Sequence, residues 1–282
     1  MENRLNIVAN NNQENENISI KRNQKDSLSS LKIETEAKFE RLWLNDPEQF
    51  NPEKTLLGKS RIEKTKALLD QLPEVKRCVD LGTGYGKLSR YMADKGVEVT
   101  AVDIAKNALN RLNGINHIQT VQDYIPDTKL PDNSFDLVLC TDLIAYLDKK
   151  VYRLLVSEMV RLCTEEGSIV CSTQIDIHSD DAFSLFASLM ETEIIIEEWQ
   201  FSYHRIYIRT LEILKRLKLT FLADFLRPSP LFMRVSEKLS KALFGQNGIS
   251  YALFKGSKKK LMPLPPKLER PIERKQKHFV WE

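Results

Sequence analysis

Short apolar runs alternate with stretches of helical periodicity through the middle of the chain. Five runs rich in Val, Ile, Leu and Cys predict buried strands at residues 77–81, 97–102, 118–121, 135–140 and 168–173. Apolar residues at helical spacing predict helices between them, at 87–95, 105–112 and 151–162. Because strands that alternate with helices need crossover connections, the pattern predicts an α/β fold. Its sheet would be doubly wound, mostly parallel and covered by helices on both faces.

The two ends of the chain differ from this central region. Residues 1–30 contain eight Asn and almost no apolar periodicity, which predicts a disordered N-terminal segment. Turn signals interrupt the apolar residues of 31–74, which predicts an N-terminal helical cap. The domain that follows is predicted to span 75–255, and it includes a helix near 181–190, a strand near 194–201, a helical insert at 205–247 and a final strand at 249–254. Residues 256–282, rich in Lys and Pro, are predicted to be a basic, extended tail.

Composition places the chain among ordinary globular proteins. Of its 282 residues, 42% are hydrophobic, and 42 Lys and Arg against 39 Asp and Glu give a net charge of +3. The four Cys form no Cys-x-x-Cys pair and the four His are scattered, so we expect neither a metal site nor a disulfide framework. The sequence contains no apolar run of membrane-spanning length and no signal-peptide core, so we expect a cytoplasmic protein.

Glycine is concentrated at one predicted turn, between the first strand and the helix after it. Three of the ten Gly of the chain fall within five residues, in the run Asp80-Leu81-Gly82-Thr83-Gly84-Tyr85-Gly86. Glycine permits positive φ and lets a ligand approach the backbone, and the helix that follows offers free N–H groups. The cluster therefore predicts a ligand-binding turn at the carboxyl end of the sheet.

Two nucleotide-binding motifs do not fit this turn. A phosphate-binding P-loop would need Gly at Leu81 and Ser or Thr at Leu88. The dinucleotide motif Gly-x-Gly-x-x-Gly would need Gly at Lys87. What remains is Asp-x-Gly-x-Gly-x-Gly.

This remaining pattern resembles motif I of the class I (Rossmann-like) S-adenosylmethionine-dependent methyltransferases. The resemblance continues with Asp103, 21 residues after Gly82, and with Gln122-Asp123-Tyr124 after the third strand. The block Ser134-Phe135-Asp136-Leu137-Val138-Leu139-Cys140-Thr141-Asp142-Leu143-Ile144-Ala145-Tyr146 resembles the family's fourth-strand block. These matches cover about residues 75–173, and the strand at 249–254 fits the family's antiparallel seventh strand. A seven-stranded sheet and S-adenosyl-L-methionine as the cofactor are therefore what the resemblance implies.

The resemblance also implies roles for individual residues. Asp80 and the backbone of Gly82 and Gly84 would hold the methionine part of the cofactor, and Asp103 would bind its ribose. Ile104 would pack on the adenine. Asp123 and the backbone of Tyr124 would bind the polar edge of the adenine. Thr141 would face the amino-acid end of the cofactor or the transferred methyl group.

A catalytic base is not evident in the sequence. Tyr146 stands where many relatives have His, and a structural role is as compatible with it as a catalytic one. His178 after the fifth strand and His204 at the start of the insert are weak candidates, because His is suited to proton transfer near neutral pH. Methyl transfer often works through positioning alone, so the assignment stays open.

The resemblance is to the small-molecule branch of the family, which implies methyl transfer to an oxygen or nitrogen nucleophile of a small molecule. No Asn/Asp-Pro-Pro-Tyr motif follows the fourth strand, which makes nucleic acid a less expected substrate. An RNA- or protein-directed enzyme that uses the basic insert and tail stays open as the alternative. The apolar face of 206–225 either covers the sheet or closes the substrate pocket, or it provides peripheral contact with an anionic membrane.

Overall fold

The computed structural model describes residues 32–259, and the predicted disordered segment 1–30 and most of the predicted tail lie outside these residues. Seven strands form one sheet in the order β3-β2-β1-β4-β5-β7-β6. The strands are β1 Arg77–Leu81, β2 Glu98–Asp103, β3 Ile118–Gln122, β4 Phe135–Thr141, β5 Cys163–Gln174, β6 Ile194–Ser202 and β7 Tyr251–Lys258. Strands β3, β2, β1, β4 and β5 are parallel, and β7 pairs antiparallel with both β5 and β6. The predicted α/β fold is confirmed.

Helices flank the sheet. They are α1 at residues 32–45, followed by α2 Leu56–Leu69, α3 Lys87–Ala93, α4 Lys106–Leu109, α5 Tyr152–Leu162, α6 Ala182–Met190, α7 Arg205–Arg216, α8 Thr220–Leu226 and α9 Pro230–Phe244. Short 3-10 turns at Pro47–Phe50 and Pro52–Lys54 connect α1 to α2. No helix of the described residues is long and apolar enough to cross a membrane.

Alternation along the central strands produces a hydrophobic core on each face of the sheet. In β4, Val138 and Cys140 belong to one core with residues of α5 and α6, whereas Leu137 and Leu139 belong to another with residues of α2 and α3. All four of these side chains are fully buried. Successive side chains of a strand point to opposite faces, so a continuous apolar run is what a strand covered on both sides requires.

The strand order reverses between β1 and β4, which makes their carboxyl ends the switch point of the sheet. In open α/β sheets ligands bind at this position, outside the ends of the strands. The glycine turn follows β1, and Thr141 ends β4, so both lie at the switch point.

Two predicted boundaries in the sheet are wrong. The fifth strand, predicted to begin at residue 168, begins at Cys163 directly after α5, and its pairing with β4 shifts register between Phe135 and Leu137. The last strand extends to Lys258, so residues 256–258, assigned to the tail by sequence, are part of the sheet. Lys258 is 8% exposed, and its Nζ lies 2.5 Å from Asn133 Oδ1, 3.1 Å from the Cys163 carbonyl oxygen and 2.7 Å from Glu165 Oε1. Its charge is satisfied inside the fold, which composition alone does not reveal.

The insert consists of three short helices, α7 to α9, instead of one long helical stretch. Tyr207 of α7 is buried and its hydroxyl donates to the Arg227 carbonyl oxygen at 2.5 Å. By contrast, Phe221 and Phe225 of α8 are 66% and 75% exposed. The interpretation that the whole apolar face of 206–225 covers the sheet is therefore wrong for α8, because α8 packs on α7 through Ala223 and leaves its large side chains outside.

Candidate functional site

A cavity of about 450 Å³ lies at the switch point. It falls within the roughly 300–1,000 Å³ range typical of small-molecule sites. Its walls include eight of the residues with a sequence-predicted role, together with Ile125, Asp142 and Leu143 from the loops after β3 and β4; the eight are Asp80, Gly82, Gly84, Asp103, Ile104, Tyr124, Thr141 and Tyr146. His204 lines the cavity as well. Residues from five strand ends therefore converge on one space.

Asp103, at the end of β2, is tied to the glycine turn. Its Oδ2 accepts a hydrogen bond from the Gly84 amide at 3.0 Å, and its Oδ1 accepts one from the Ala105 amide at 2.9 Å. A carboxylate has about four acceptor positions, so two remain for a ligand. Burial raises the pKa of Asp103 to about 6, and the backbone hydrogen bonds partly oppose that rise.

Asp80, at the end of β1, is held by hydroxyl groups. Its Oδ2 accepts hydrogen bonds from Thr83 Oγ1 at 2.9 Å and Ser89 Oγ at 2.6 Å. Burial raises the pKa of Asp80, and the two hydroxyl donors oppose the rise. The carboxyl group thus has a fixed orientation at the cavity wall, with 2% of the residue exposed.

The glycine turn needs glycine for two different reasons. Gly82, Gly84 and Gly86 all have positive φ, at 72°, 51° and 71°. A Cβ at Gly86 would lie 2.4 Å from Leu112 Cδ2, whereas one at Gly84 would meet nothing closer than 3.7 Å. Gly86 is therefore required for packing against the core, and Gly84 keeps its backbone open on the side of the cavity.

Aromatic side chains from the N-terminal segment line the cavity from above the glycine turn. Trp43 of α1 stacks on Phe50 with ring centroids 4.6 Å apart, and it lies 6.2 Å from the Tyr85 ring. Phe39 and Phe50 both make edge contacts with Tyr146. The segment is anchored by a hydrogen bond from the Tyr85 hydroxyl to Glu48 and by the 2.7 Å ion pair between Lys87 and Glu53.

The other end of the cavity contains an Arg–Asp pair. Arg61 Nη1 of α2 lies 3.3 Å from Asp142 Oδ2, and the guanidinium also lies over the Tyr251 ring at 5.3 Å. Arg61 Nε and Asp142 Oδ1 are buried and have no hydrogen-bond partner among residues 32–259. Asp142 follows β4 with φ of 58°, a left-handed conformation that non-glycine residues seldom adopt. Burial raises the pKa of Asp142, and the charge of Arg61 opposes the rise.

His204 stands at the same end, directly before α7. It is 3% exposed, and its Nδ1 also lacks a partner among the described residues. Burial lowers the pKa of His204 to about 4; Glu237 opposes this, whereas Lys64 and Arg61 add to it. The imidazole is therefore neutral at pH 7.

Two predicted site residues are not brought to the cavity. Asp123 is buried, but its oxygens accept hydrogen bonds from the amides of Tyr124 at 2.8 Å and Lys129 at 2.9 Å. It holds its own loop and is not a wall residue. His178 lies on the surface, with its Nε2 3.4 Å from Glu212 Oε1, and does not line the cavity either.

Sequence reasoning missed Arg61, Asp142 and the aromatic wall around Trp43. Asp142 lies within the recognised fourth-strand block, so its position was available as a signal. Arg61 and Trp43 belong to segments outside the motifs, and nothing in their local sequence distinguishes them from ordinary helix residues. Within the described residues no group of three or more His, Cys, Asp or Glu side chains could hold a metal ion.

The order of strands, the glycine turn after β1 and the acid at the end of β2 agree with the class I, Rossmann-like S-adenosylmethionine-dependent methyltransferases that the sequence resembles. Residues 79–171 match the family described as "Methyltransferase domain". This match falls on the region whose motifs resemble that family in the sequence.

Parts of the chain are also similar in sequence to individual methyltransferases. The chain is 33% identical over 106 residues to phosphoethanolamine N-methyltransferase 1 of Arabidopsis thaliana, covering 35% of this chain and 22% of that protein. It is 26% identical over 161 residues to the ubiquinone biosynthesis O-methyltransferase of Glaesserella parasuis, covering 52% of this chain and 65% of that protein. The chain therefore spans from about a fifth to just under two thirds of the length of these two relatives.

A solved structure shares the fold. The N-methyltransferase NodS from Bradyrhizobium japonicum, crystallised with S-adenosyl-L-homocysteine, superposes with a TM-score of 0.56 at 14% identity. The match covers 80% of this chain and 99% of that one. At this identity the likeness supports the fold, and the roles of the site residues are argued from their own geometry.

Proposed function

We propose that this chain transfers a methyl group from S-adenosylmethionine to an oxygen or nitrogen nucleophile of a small molecule. The observation that carries the proposal is one cavity with two chemically different ends. One end has the glycine turn and the carboxylates of Asp80 and Asp103, and the other has the unpartnered polar atoms of Arg61, Asp142 and His204.

The donor set of the first end suits S-adenosylmethionine. When bound, this cofactor supplies an activated methyl group on a positively charged sulfonium. Asp103 keeps two acceptor positions for ribose hydroxyls, and the Asp80 carboxyl lies where it can balance a cationic amine. Lys87, the first residue of α3 after the glycine turn, is paired with Glu53 at 2.7 Å, so its charge is already balanced and it is not proposed as a phosphate clamp.

Apolar and aromatic side chains beside the glycine turn, on the side of β2 and β3, would hold the adenine. Ile104, Tyr124 and Ile125 lie on this wall, and the Trp43 indole lies within 3.7 Å of the Cβ position at Gly84. A flat heteroaromatic ring gains from contact with such side chains and loses no hydrogen bond to them. Asp123, with its oxygens occupied by loop amides, is proposed to position the Tyr124 backbone instead of contacting the adenine itself.

The acceptor molecule would bind at the Arg61 end. Leaving a buried polar atom unpaired costs about 1–3 kcal/mol. Arg61, Asp142 and His204 each carry one such atom and all three residues line the cavity, which favours a polar occupant at this end. The Arg61 guanidinium would donate to the acceptor, Asp142 Oδ1 would accept from it, and the neutral His204 imidazole can do either. Together they would orient a nucleophile toward the transferred methyl group, which is the contribution that alignment makes to such reactions.

The RNA- or protein-directed alternative is less well supported by this cavity. Trp43, Phe50 and Tyr146 line one side of it, and a volume of about 450 Å³ suits a small molecule or a single protruding group. We therefore place the acceptor among small polar molecules with a hydroxyl or amine.

The test is a thermal shift of the full chain with S-adenosylmethionine, S-adenosylhomocysteine and NAD in parallel. A ligand at one hundred times its Kd stabilises by about 2.7 kcal/mol, or about 5–10 °C in Tm at this size. A shift with the first two ligands supports the proposal, and a shift with NAD alone contradicts it. S-adenosylhomocysteine release with small amines and alcohols, or with total RNA, then decides between the acceptor classes.

A further inference from the structure

The outer surface of the insert contains most of the exposed large apolar side chains of the described chain. Ten of the sixteen in residues 32–259 fall between positions 213 and 244, each 37–75% exposed. They are Ile213, Leu217, Phe221, Leu222, Phe225, Leu231, Val235, Leu239, Leu243 and Phe244. We call this set the insert face. Exposed apolar side chains gathered on one part of the surface mark interaction sites in soluble proteins.

In helix α9 the exposed apolar side chains lie on the side that faces away from the rest of the protein. Leu231, Val235, Leu239 and Leu243 repeat every four residues along one side and are 47–72% exposed. The buried residues of this helix are Ser236 and Ser240, while Phe232 packs on the Tyr207 ring with centroids 5.3 Å apart. Ser240 Oγ accepts a hydrogen bond from the Ile206 amide of α7 at 2.9 Å. A helix at the surface of a globular protein normally buries its apolar stripe. In α9 this arrangement is reversed.

The insert also has a strong positive charge. Residues 204–248 contain nine Lys and Arg and three Asp and Glu, which gives a local balance of +6. Seven of the nine form no ion pair with an acid among residues 32–259; they are Arg209, Lys215, Arg216, Lys218, Arg234, Lys238 and Lys241. Exposed apolar side chains interspersed with unpaired cations are typical of helices that lie in the interface of an anionic membrane.

We propose that the insert face binds the surface of an anionic lipid bilayer. The apolar side chains of α8 and α9 enter the boundary between headgroups and acyl chains, and the basic side chains beside them contact the lipid phosphates. A second copy of this chain fits the same face less well, because it would bring two surfaces of +6 together. The segment 260–282 is also basic, with six Lys and Arg against three Glu, so charge disfavours it as a cover.

The proposed surface is connected to the cavity through α7. His204 precedes this helix and Ile208 lies in its first turn, and both line the cavity, whereas Ile213 and Leu217 at its other end belong to the insert face. The Lys64 ammonium further ties the insert to α2, with its Nζ 3.4 Å from Glu237 Oε1 and 2.7 Å from Ser202 Oγ. This proposal concerns a surface outside the cavity, so it stands or falls independently of methyl transfer.

The experiment is co-sedimentation of the full chain with vesicles of phosphatidylcholine alone and with 30% phosphatidylglycerol. We expect binding to the anionic vesicles that weakens as salt is raised, and at least tenfold weaker binding to the neutral ones. The triple variant Phe225→Ser/Leu231→Ser/Leu239→Ser should lose at least tenfold in affinity. Its matched control, Leu154→Ser/Leu185→Ser, replaces leucines of 48% and 68% exposure outside the insert and should bind like the natural chain.

Three results would overturn the proposal. The first is absence of binding to anionic vesicles, and the second is equal loss in the control variant. The third is a dimer in solution, measured by light scattering, that the triple variant dissociates while vesicle binding is unaffected. Circular dichroism and Tm of each variant show whether a loss of binding reflects unfolding, and Arg234→Gln/Lys238→Gln provides a second variant. It should weaken binding to anionic vesicles without removing any apolar side chain.

Discussion

Asp142 and Arg61 face each other at one end of the cavity, with Asp142 Oδ2 3.3 Å from Arg61 Nη1 and one further buried polar atom of each residue unpartnered. The pair joins the end of β4 to α2, a helix that ends 11 residues before Asp80 and lies outside the recognised motifs. Because an unsatisfied buried polar atom is costly, an ion pair that served stability alone is not expected to leave one on each partner. Their presence favours a role in binding over a role in stability alone.

Replacing Arg61 is expected to weaken binding of the acceptor molecule and to leave binding of the cofactor unchanged. In Arg61→Met, loss of one charged donor should raise the acceptor KM about tenfold or more, since a hydrogen bond to a charged group contributes about 1.5–3 kcal/mol. The Kd for S-adenosylhomocysteine, measured by calorimetry, should stay within about twofold. Lys59→Met, an exposed position of the same helix, is the control and should change neither constant. Equal weakening of both ligands by Arg61→Met would contradict the assignment.

Asp103 and Asp123 allow a matched comparison, because both are acids with 8% exposure that accept backbone hydrogen bonds. Asp103→Asn should weaken S-adenosylhomocysteine binding by roughly ten- to a hundredfold through the loss of charge-assisted hydrogen bonds. Asp123→Asn should lower the free energy of unfolding by about 1 kcal/mol and leave that affinity within about threefold. Calorimetry measures the affinity and urea denaturation measures the free energy of unfolding. A larger loss of affinity in Asp123→Asn than in Asp103→Asn would show that Asp123, and not Asp103, contacts the cofactor.

The same carboxyl predicts a pH dependence of cofactor binding. Burial raises the pKa of Asp103 to about 6, and the ionised form is the better acceptor for ribose hydroxyls. Affinity for S-adenosylhomocysteine should therefore increase as pH rises from 5 to 7, and Asp103→Asn should flatten that part of the profile. A profile that is identical in the variant would show that another group causes the dependence.

His204 predicts an acid-sensitive contribution to stability. Its pKa is lowered to about 4 in the folded state and is near 6.5 in the unfolded chain, so between these values the unfolded state binds more protons. Stability from this group is fully present above pH 6.5 and is lost as pH falls toward 4, by about 2 kcal/mol between pH 7.5 and 5. In His204→Met, urea denaturation at the two pH values should show a smaller loss than in the natural chain. A loss of the same size would mean that His204 is not the group responsible.

Lys258 should stabilise the fold although it begins a run of three lysines. Its ammonium contacts Asn133, Glu165 and the Cys163 carbonyl oxygen between β7 and β5. Lys258→Met should lower the free energy of unfolding by about 1–3 kcal/mol, because it leaves a buried carbonyl oxygen and an amide oxygen without their donor. The exposed neighbour in Lys259→Met should cost no more than about 0.5 kcal/mol. Equal changes in Tm for the two variants would show that Lys258 stabilises the fold no more than its exposed neighbour does.

The sequence by itself determined the class of fold and the place of the site. Alternating apolar runs and helical spacing depend on local periodicity, which is readable in the chain. The turn from Asp80 to Gly86 and the acid at Asp103 follow from where those strands end. The sequence did not determine where β5 begins or where β7 ends. Cys163 and Lys258 interact with residues on other strands, and local sequence preferences contain no information about those partners.

Only the tertiary structure decided which side chains share the cavity. Arg61 and Trp43 reach it from α2 and α1, and Asp123 is kept away from it by hydrogen bonds to its own loop. The reversed packing of α9, with Ser240 inward and Leu239 outward, likewise contradicts what apolar spacing alone would suggest. Periodicity predicts that a helix forms and which residues share a side of it. The direction that side faces is set by contacts between residues far apart in the chain, and these are known only once the fold is complete.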